Sequence, residues 1–434
     1  MKQIFANMGW LLGGRGFNAL LSLVYLAIAA RTLGTEGFGH FALIIALGQA
    51  ITGFSSFQTW QFIVRWGADP DQPGVDLQRA REATGFAVAL DGVSIVFGTL
   101  AAVVLVLSAP LWLDVPTDLM WLTFGYCVIS LISIRTTPTG MLRLHSEYGK
   151  ATWAEAVQPI IRTTGAGLAL WLMPDVTGFI LAFAASEIAT AIALWIVAAR
   201  VQPVPLSSVS LRAIPSRHKD AWKFVLSTNM SGSLAVAGKQ VMILLVGTFG
   251  GAYLAGGFRI ANQLGVALIA LAQTISKAIL PELVQSRETA VDIARRMANI
   301  AAIAGVTAVV SAILFGRPGL ALIAGEQFTG FYWAMIILSI AGAVELVGAS
   351  LESLLVSAGK AHVAFLVRLF PTVLALFMLE AAIGWKGAQG AGFALLGSSV
   401  LTVVGFYLAI VNLKQFRIQV VPEEDAVLPL PPER

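Results

Sequence analysis

Long hydrophobic runs separated by short polar connectors fill almost the whole chain of 434 residues. A helix of about 20 apolar residues crosses the hydrocarbon core of a bilayer, and each run reaches that length. The pattern predicts twelve spans, at 8–30, 38–64, 83–108, 118–142, 151–173, 176–199, 222–247, 252–276, 297–316, 330–357, 361–384 and 388–413. We therefore predict an all-α polytopic membrane protein with twelve transmembrane helices.

The first run carries a polar stripe along one face of its helix. Arg15, Asn18, Ser22 and Tyr25 recur at helical spacing, whereas leucine, isoleucine and valine fill the other faces. An arginine facing lipid is costly, so an intramembrane charge indicates a functional site unless its side chain snorkels to the headgroups. We expect the stripe to face protein or a water-filled cavity.

Composition and charge support this class and predict an orientation. The chain is 57% hydrophobic and 12% charged, against about 25% charged residues in soluble proteins. With the N-terminus in the cytoplasm, the inner segments hold 19 of the Lys and Arg residues and the outer connectors hold 3. This bias predicts that both termini are cytoplasmic. The net charge of +4 gives no reason to expect nucleic acid, and the single cysteine, Cys127, excludes a disulfide framework.

A weak internal repeat divides the chain into two halves. We predict an N-terminal six-helix lobe at 1–200, a cytosolic linker at 201–221, a C-terminal six-helix lobe at 222–413 and a cytosolic tail at 414–434. Three residues recur at an offset of 217, as the pairs Gly34 and Gly251, Gly39 and Gly256, and Phe41 and Phe258. Parallel repeats of this kind hold their substrate between the lobes, near the membrane midplane.

Three basic residues are candidates for an anion site. Arg15, Lys239 and Arg259 lie on polar faces of the opening helices of the two halves, with no acidic residue in their own spans. Unpaired cations around a cavity attract anions, and a diphosphate suits such a cluster. We predict that these residues, with Asn18 and Asn262, bind an anionic headgroup.

The other membrane charges leave two interpretations open. Buried charges need partners, so they either pair and stabilise the bundle or serve transport. The acids Asp91, Glu345 and Glu352 are candidates for coupling to H⁺ or Na⁺. Both interpretations stand for Arg135, Glu155, Arg162, Glu187 and Glu380. Glu155, Gln158 and Arg162 share one helical face and could form an internal ion-pair relay.

Known catalytic signatures are missing from the sequence. It contains no G-x-x-x-x-G-K-[ST] loop, no H-E-x-x-H and no G-x-S-x-G elbow. The outer connectors are short, whereas an enzyme acting on external polymers needs a sizeable outer segment to hold its site. We predict a protein that is not an enzyme and needs no cofactor or metal.

Several segments together resemble a known family. They are 7–12 (NMGWLL), 30–39 (ARTLGTEGFG), 140–143 (GMLR), 251–264, 280–283 (LPEL) and 325–328 (GEQF). The first two resemble the N-terminal signature of bacterial polysaccharide-biosynthesis membrane proteins. These are the Wzx-type oligosaccharide flippases of the multidrug/oligosaccharidyl-lipid/polysaccharide (MOP) exporter superfamily, which includes the MATE-like exporters.

The resemblance implies two six-helix lobes around a cationic cavity. It implies alternating access that moves a polyprenyl-diphosphate-linked oligosaccharide outward across the bacterial inner membrane. A related lipid II flippase depends on cavity arginines in its first and eighth spans, and Arg15 and Arg259 are counterparts by span. The expected partners are the lipid-linked glycan, membrane lipids and polysaccharide assembly proteins, with the chain acting as a monomer.

Two rival functions remain at the level of sequence. An ion-coupled multidrug exporter of the same superfamily would favour a cavity of acids and aromatic residues, whereas the stripes on the opening helices here are basic. A membrane glycan polymerase or ligase is disfavoured by the short outer connectors. Neighbouring glycosyltransferase genes would support the flippase, and a lone regulator gene would support the exporter.

The basic bias predicts a topology that thiol labelling can test. Single cysteines at Ser208 and Asp425, in a chain whose Cys127 is replaced, should be shielded from impermeant thiol reagents in intact cells. Labelling at either site from outside would overturn the orientation.

Overall fold

The structure is a computed structural model that describes residues 2–68, 74–205, 208–212, 214–216, 220–279, 290–357 and 360–412. Within its helices, the side chains of 2–20, 220, 227–238, 271–279, 290–298, 353–354, 356–357 and 361 lie outside the description. The predicted tail at 414–434 also lies outside the described residues.

Eleven α-helices make up the described chain. They are α1 (Lys2–Ser55), α2 (Thr59–Gly67), α3 (Leu77–Ser108), α4 (Met120–Ile132), α5 (Thr136–Leu144), α6 (Tyr148–Leu172), α7 (Val176–Val201), α8 (Asp220–Ile279), α9 (Ala290–Ile323), α10 (Tyr332–Ser357) and α11 (Ala361–Asn412). Short 3₁₀ turns at Ala109–Leu111, Thr117–Leu119 and Glu326–Phe331 connect some of them.

The arrangement of these helices is approximately consistent with the twelve predicted crossings. Three of them are long enough to cross twice, and each is broken where the sequence predicts an outer connector: at Gly34 in α1, Gly251 in α8 and Lys386–Gly387 in α11. Eight of the helical segments among the described residues are apolar and long enough to span a membrane. The all-helical polytopic fold is confirmed.

The repeat glycines make the same backbone turn in both halves. Gly34 has φ 71° and ψ −175°, and Gly251 has φ 76° and ψ 175°. A positive φ of this kind is strained for residues with a Cβ, so glycine is the residue that allows the chain to turn between two crossings here. The offset of 217 residues in the sequence thus separates two turns with the same backbone conformation.

Two helix breaks were not predicted. Within the second predicted span, α1 ends at Ser55 and the chain becomes helical again as α2 at Thr59. Within the fourth predicted span, α4 ends at Ile132 and α5 begins at Thr136. The pieces α2 and α5 contact each other, and α3 packs against both. Irregular backbone at membrane depth is tolerated only where it is buried in protein or lines a cavity.

The two halves meet in a close crossing of α1 and α8. A Cβ added to Gly39 would lie 1.9 Å from the carbonyl oxygen of Ala252, and one added to Gly256 would lie 2.7 Å from that of Thr35. Small residues at this crossing allow two backbones to approach within packing distance. The largest hydrophobic cluster joins side chains of both halves around it, including Phe38, Phe41, Phe258 and Phe328.

Polar contacts tie the halves together beside the two glycine turns, at the face predicted to be outer. Asp114 accepts a hydrogen bond from the backbone N–H of Ala252 at 2.8 Å, and Gln327 donates to the carbonyl of Ala30 at 3.4 Å. Arg31 donates to the carbonyls of Ala321 and Leu322 at 3.2 and 2.6 Å, at the C-terminal end of α9. We call these three side chains, Arg31, Asp114 and Gln327, the outer contacts.

Part of the predicted linker packs against the N-terminal half. Gln202 is buried and hydrogen-bonds His145 and Thr84. Ile214 is buried in a cluster with Phe62 and Phe86. The same cluster includes Ala221 and Val225 of α8, so the described part of the segment contacts both halves. The division into two lobes stays a prediction.

The close crossing predicts a steric test. Gly39→Ala should lower the unfolding midpoint and the yield of folded protein, because its methyl group would collide with backbone rather than with a flexible side chain; overpacking of this kind costs about 1–3 kcal/mol. The matched control is Gly92→Ala on α3, where nothing lies within 4 Å of an added Cβ. It should leave the midpoint unchanged or raise it. Equal midpoints for the two variants would contradict the close crossing.

Candidate functional site

The predicted anion-site residues fall into two groups in the structure. Arg15 and Asn18 lie on the first part of α1, and their side chains are outside the described residues. Lys239 on α8 is exposed, and Arg259 and Asn262 lie beyond the Gly251 turn of the same helix. Their joint role in binding an anion stays a prediction.

Arg259 has a structural contact that the sequence does not indicate. Its Nη1 donates to the main-chain carbonyl of Ala42 at 3.0 Å, which joins α8 to α1 across the two halves. Tyr25, Tyr126 and Arg162 are its electrostatic neighbours. The hydroxyl of Tyr126 is buried and has no hydrogen-bond partner within the described chain. Arg259 thus links α8 to α1 at the interface between the two halves, and it lies near the charged cluster of the N-terminal half.

That cluster is organised around Glu187 on α7. Its carboxylate accepts from Arg135 Nη2 at 2.6 Å, from Arg162 Nη2 at 3.1 Å and from Gln158 Nε2 at 2.9 Å. The side chain of Glu187 is only 8% exposed. Three donors around one buried carboxylate offset its loss of hydration, as a charge inside a membrane protein requires. The cluster joins α5, α6 and α7.

Aromatic rings support the arginine of α6. The guanidinium carbon of Arg162 lies 3.8 Å from the ring centroid of Phe183 and 5.2 Å from that of Tyr25. Cation–π contacts with a desolvated guanidinium are worth about 2 kcal/mol. They fix the position of Arg162, so the N–H groups that do not bind Glu187 keep a defined direction.

A cavity of about 280 Å³ opens beside this cluster. It is lined by Ser22, Arg135, Thr139, Glu155, Gln158, Pro159, Arg162 and Leu194. Its walls come from α1, the first turn of α5, α6 and α7. Two guanidinium groups share one carboxylate in Glu187, so the end of the cavity at Arg162 has an excess of positive charge.

The opposite end of the cavity is negative. Glu155 precedes Arg162 by seven residues on α6, which is two helical turns or about 10 Å along the axis. Glu155 is exposed, and it makes no ion pair among the residues whose contacts are described. The relay expected between Glu155 and Arg162 is not the pairing seen, because Arg162 binds Glu187 on the next helix instead. The cavity is therefore polarised along α6.

The candidate coupling acids have different surroundings. Asp91 on α3 is buried and accepts from the hydroxyls of Thr137 at 2.6 Å and Thr136 at 3.5 Å. Glu345 and Glu352 on α10 both bind Arg368 of α11, at 3.3 and 2.8 Å. One guanidinium between two carboxylates is the reverse of the cluster at Glu187. A coupling role for any of the three acids stays a prediction.

Among the residues searched, no group of three or more His, Cys, Asp and Glu side chains could hold a metal ion. The polarised cavity with its hydroxyl and amide groups suits a polar organic ligand that carries negative charge at one end.

Solved structures with a similar fold define the class. A multidrug resistance MATE family transporter of the MOP superfamily, in an inward-facing conformation, aligns with a TM-score of 0.67 and 15% identity over 92% of this chain and 95% of its own. The lipid II flippase MurJ, in an inward closed conformation, aligns with a TM-score of 0.69 and 11% identity over 92% of this chain and 87% of its own. The chain is a polytopic membrane protein with the fold of MOP-superfamily transporters.

The sequence comparisons give the family. The profile of the polysaccharide biosynthesis protein family matches residues 4–287, which is more than half of the chain. The inner membrane protein YghQ of Escherichia coli K12 is 27% identical over 342 residues, covering 76% of this chain and 95% of its own length. This chain belongs to the polysaccharide biosynthesis protein family.

The cavity is lined by three of the membrane charges, Arg135, Glu155 and Arg162, for which the sequence left both a structural and a functional role open. Arg135 and Glu187 are separated by 52 residues, and a sequence pattern does not reveal how far each helix is rotated toward the other. The usable signal was the shared face of Glu155, Gln158 and Arg162, which does line the cavity.

The cluster predicts an asymmetric response to mutation. Glu187→Gln should lower the unfolding midpoint strongly, because it leaves Arg135 and Arg162 near each other without their carboxylate; breaking a buried pair costs about 3–5 kcal/mol. Glu147→Gln is the control, since Glu147 pairs with Lys150 at the surface and such pairs contribute about 0–1 kcal/mol. Thermal unfolding in detergent measures both. A Glu187→Gln midpoint equal to that of the control would rule out a stabilising role for the cluster.

Proposed function

We propose that this protein is a flippase that moves a polyprenyl-diphosphate-linked oligosaccharide, a precursor of a cell-surface polysaccharide, outward across the bacterial inner membrane. The observation that carries the proposal is the polarised cavity between α1, α5, α6 and α7. It offers arginines for a diphosphate at one end and the carboxylate of Glu155 at the other, with amide and hydroxyl groups for sugar along its wall.

The chemistry of the two ends fits such a headgroup. Arg135 and Arg162 each use one nitrogen on Glu187, so further N–H donors remain for phosphate oxygens. Gln158 and the hydroxyls of Ser22 and Thr139 are suited to sugar hydroxyl groups. The volume of about 280 Å³ is at the lower limit of ligand cavities, so the cavity would hold only the part of the headgroup nearest the lipid.

The contacts between the halves support alternating access. The outer contacts and the crossing at Gly39 and Gly256 join the halves at the predicted outer face. Release of a headgroup to that side requires these contacts to open. Binding energy can drive the change only if the headgroup binds the two states differently.

The remaining parts of the proposal extend from the sequence and the relatives. Arg15, Lys239 and Arg259, with Asn18 and Asn262, would form the path between the halves along which the diphosphate moves. The family match and the relative described as an inner membrane protein support an inner-membrane location. Both termini would be cytoplasmic, and the protein would act as a monomer beside the polysaccharide assembly proteins.

A second candidate is an ion-coupled exporter of organic cations. Glu155 favours it, because an exposed carboxylate that lines the cavity could bind a positively charged drug. The two functions predict opposite effects for Glu155→Gln. Cation export would fall steeply, whereas flipping of a diphosphate-linked saccharide would persist.

The test is flipping of a fluorescent polyprenyl-diphosphate oligosaccharide in proteoliposomes, normalised to folded protein. Arg162→Lys keeps the charge beside Glu187 but loses the planar fork that binds phosphate. A lost charge-assisted contact of about 1.5–3 kcal/mol corresponds to a ten- to hundredfold rise in the substrate concentration required. Arg135→Lys should behave likewise.

Arg200→Lys, at the exposed end of α7, is the matched control and should flip normally. The double variant Arg135→Gln with Glu187→Gln guards against a folding defect, because it removes both charges of one pair. If that variant and Arg162→Lys both fold and flip the saccharide at the wild-type rate and half-saturation, the cavity is not the headgroup site.

A further inference from the structure

The negative end of the cavity is not neutralised from within the protein. Glu155 of α6 lines this end, is exposed, and forms no ion pair among the residues whose contacts are described. The two basic residues of the cavity lining, Arg135 and Arg162, bind Glu187 of α7 instead. The carboxylate of Glu155 is therefore available to a ligand that enters the cavity.

A proline adds a second acceptor at the same end. Pro159 lies one turn after Glu155 in α6 and also lines the cavity. Proline has no N–H, so the main-chain carbonyl of Glu155 lacks the donor that a helix normally supplies from four residues later. Two acceptors of one residue, its carboxylate and its carbonyl, are thus left without a helical donor.

Gln158 contributes a further oxygen between the two ends. Its Nε2 donates to the carboxylate of Glu187 at 2.9 Å. An ionised carboxylate only accepts hydrogen bonds, so this contact fixes which end of the amide faces Glu187. The amide oxygen is then left for the cavity, which Gln158 lines. We call the carboxylate and carbonyl of Glu155 and the amide oxygen of Gln158 the acceptor group.

The acceptor group discriminates between ligands by their donors and their charge. An ammonium group has three N–H donors, no acceptor and a positive charge, so it suits these oxygens and neutralises Glu155. A sugar hydroxyl carries no charge and brings acceptor lone pairs of its own. The carboxylate of an acidic sugar would bring a second negative charge to Glu155 and would be rejected.

The spacing along α6 indicates where on a headgroup this ammonium would lie. Glu155 and Arg162 are two helical turns apart, about 10 Å along the helix axis. A diphosphate held at Arg162 would direct the sugar attached to it toward Glu155. The cavity of about 280 Å³ has little room beyond that sugar. The ammonium therefore belongs to the first sugar of the saccharide.

We propose that Glu155 determines the sugar specificity of this cavity, and that the acceptor group binds the ammonium of an amino sugar attached directly to the diphosphate. The part of the ligand inside the cavity is then zwitterionic, with a negative diphosphate at Arg162 and a positive sugar at Glu155. The inference rests on the proposed function for its diphosphate end. It differs from the export of organic cations because both charges belong to one ligand.

The experiment is calorimetric titration of the purified full-length protein with soluble short-chain prenyl-diphosphate monosaccharides. The compounds differ in one substituent, amino, acetamido or hydroxyl, which is placed at each ring position in turn. Wild type should bind one amino compound about ten- to hundredfold more tightly than its acetamido and hydroxyl counterparts, because its contact is charge-assisted. Glu155→Gln keeps the shape and loses the charge, so this preference should disappear while the affinity for the hydroxyl compound is unchanged.

Two further variants separate the acceptor group from the general charge of the protein. Glu147→Gln is the matched control, because Glu147 directly precedes α6 and pairs with Lys150 at the surface. It should keep the wild-type preference. Pro159→Ala returns an N–H to the carbonyl of Glu155 and leaves the carboxylate in place, so it should lower the preference without abolishing it.

Three results would overturn the specificity of Glu155. The first is equal wild-type affinity for the amino and hydroxyl compounds at every ring position. The second is a preference for the amino compound that survives in Glu155→Gln. The third is equal wild-type affinity for the amino and acetamido compounds, which would mean that the site recognises an N–H donor without regard to its charge.

The same titrations distinguish failure of this inference from failure of the proposed function. If all compounds bind equally and Arg162→Lys weakens them all, the diphosphate site stands and only the role of Glu155 is lost. If no diphosphate compound binds, the flippase proposal fails, and the methyl glycosides of the same amino sugars are titrated alone. Their binding to wild type and its loss in Glu155→Gln would keep the ammonium site, and absence of binding would overturn both proposals.

Discussion

The carboxylate of Glu187 is the point on which the N-terminal half of this protein depends. Three donors from two neighbouring elements converge on it inside the membrane, where an unsatisfied charge is expensive. Their convergence fixes the first turn of α5 against α6 and α7. The same turn places Arg135 beside Glu187 and the cavity, and it places Thr136 against Asp91, because Arg135 and Thr136 are adjacent in the chain.

The contacts between the halves repeat the internal symmetry of the chain. Gly34 and Gly251 make the same positive-φ turn, and each is approached by a polar side chain of the opposite half, Gln327 and Asp114 respectively. The charges do not follow this symmetry. One glutamate lies between two arginines in the first half, whereas Arg368 lies between two glutamates in the second. A ligand that contacts both halves would meet opposite polarities.

Hydropathy predicted the twelve crossings because lipid forces each of them to be long, apolar and helical. The glycine turns were visible as a repeat, since only glycine adopts that φ without strain. The breaks before α2 and α5 were missed because the residues that occupy them, at 56–58 and 133–135, include neither glycine nor proline. Arg259 stood on a polar face as expected, but its acceptor is the carbonyl of Ala42. Every residue has a main-chain carbonyl, so no residue type in the sequence indicates which one accepts this hydrogen bond.

The central claim is that the arginines of the cavity bind the diphosphate of a lipid-linked saccharide. A cryo-EM structure of the protein with a polyprenyl-diphosphate oligosaccharide bound tests it most directly. The account predicts phosphate oxygens about 2.7–2.9 Å from guanidinium nitrogens of Arg135 or Arg162, the usual charge-assisted distance, with the first sugar toward Glu155. A diphosphate bound between the helices beyond the reach of both arginines would contradict it.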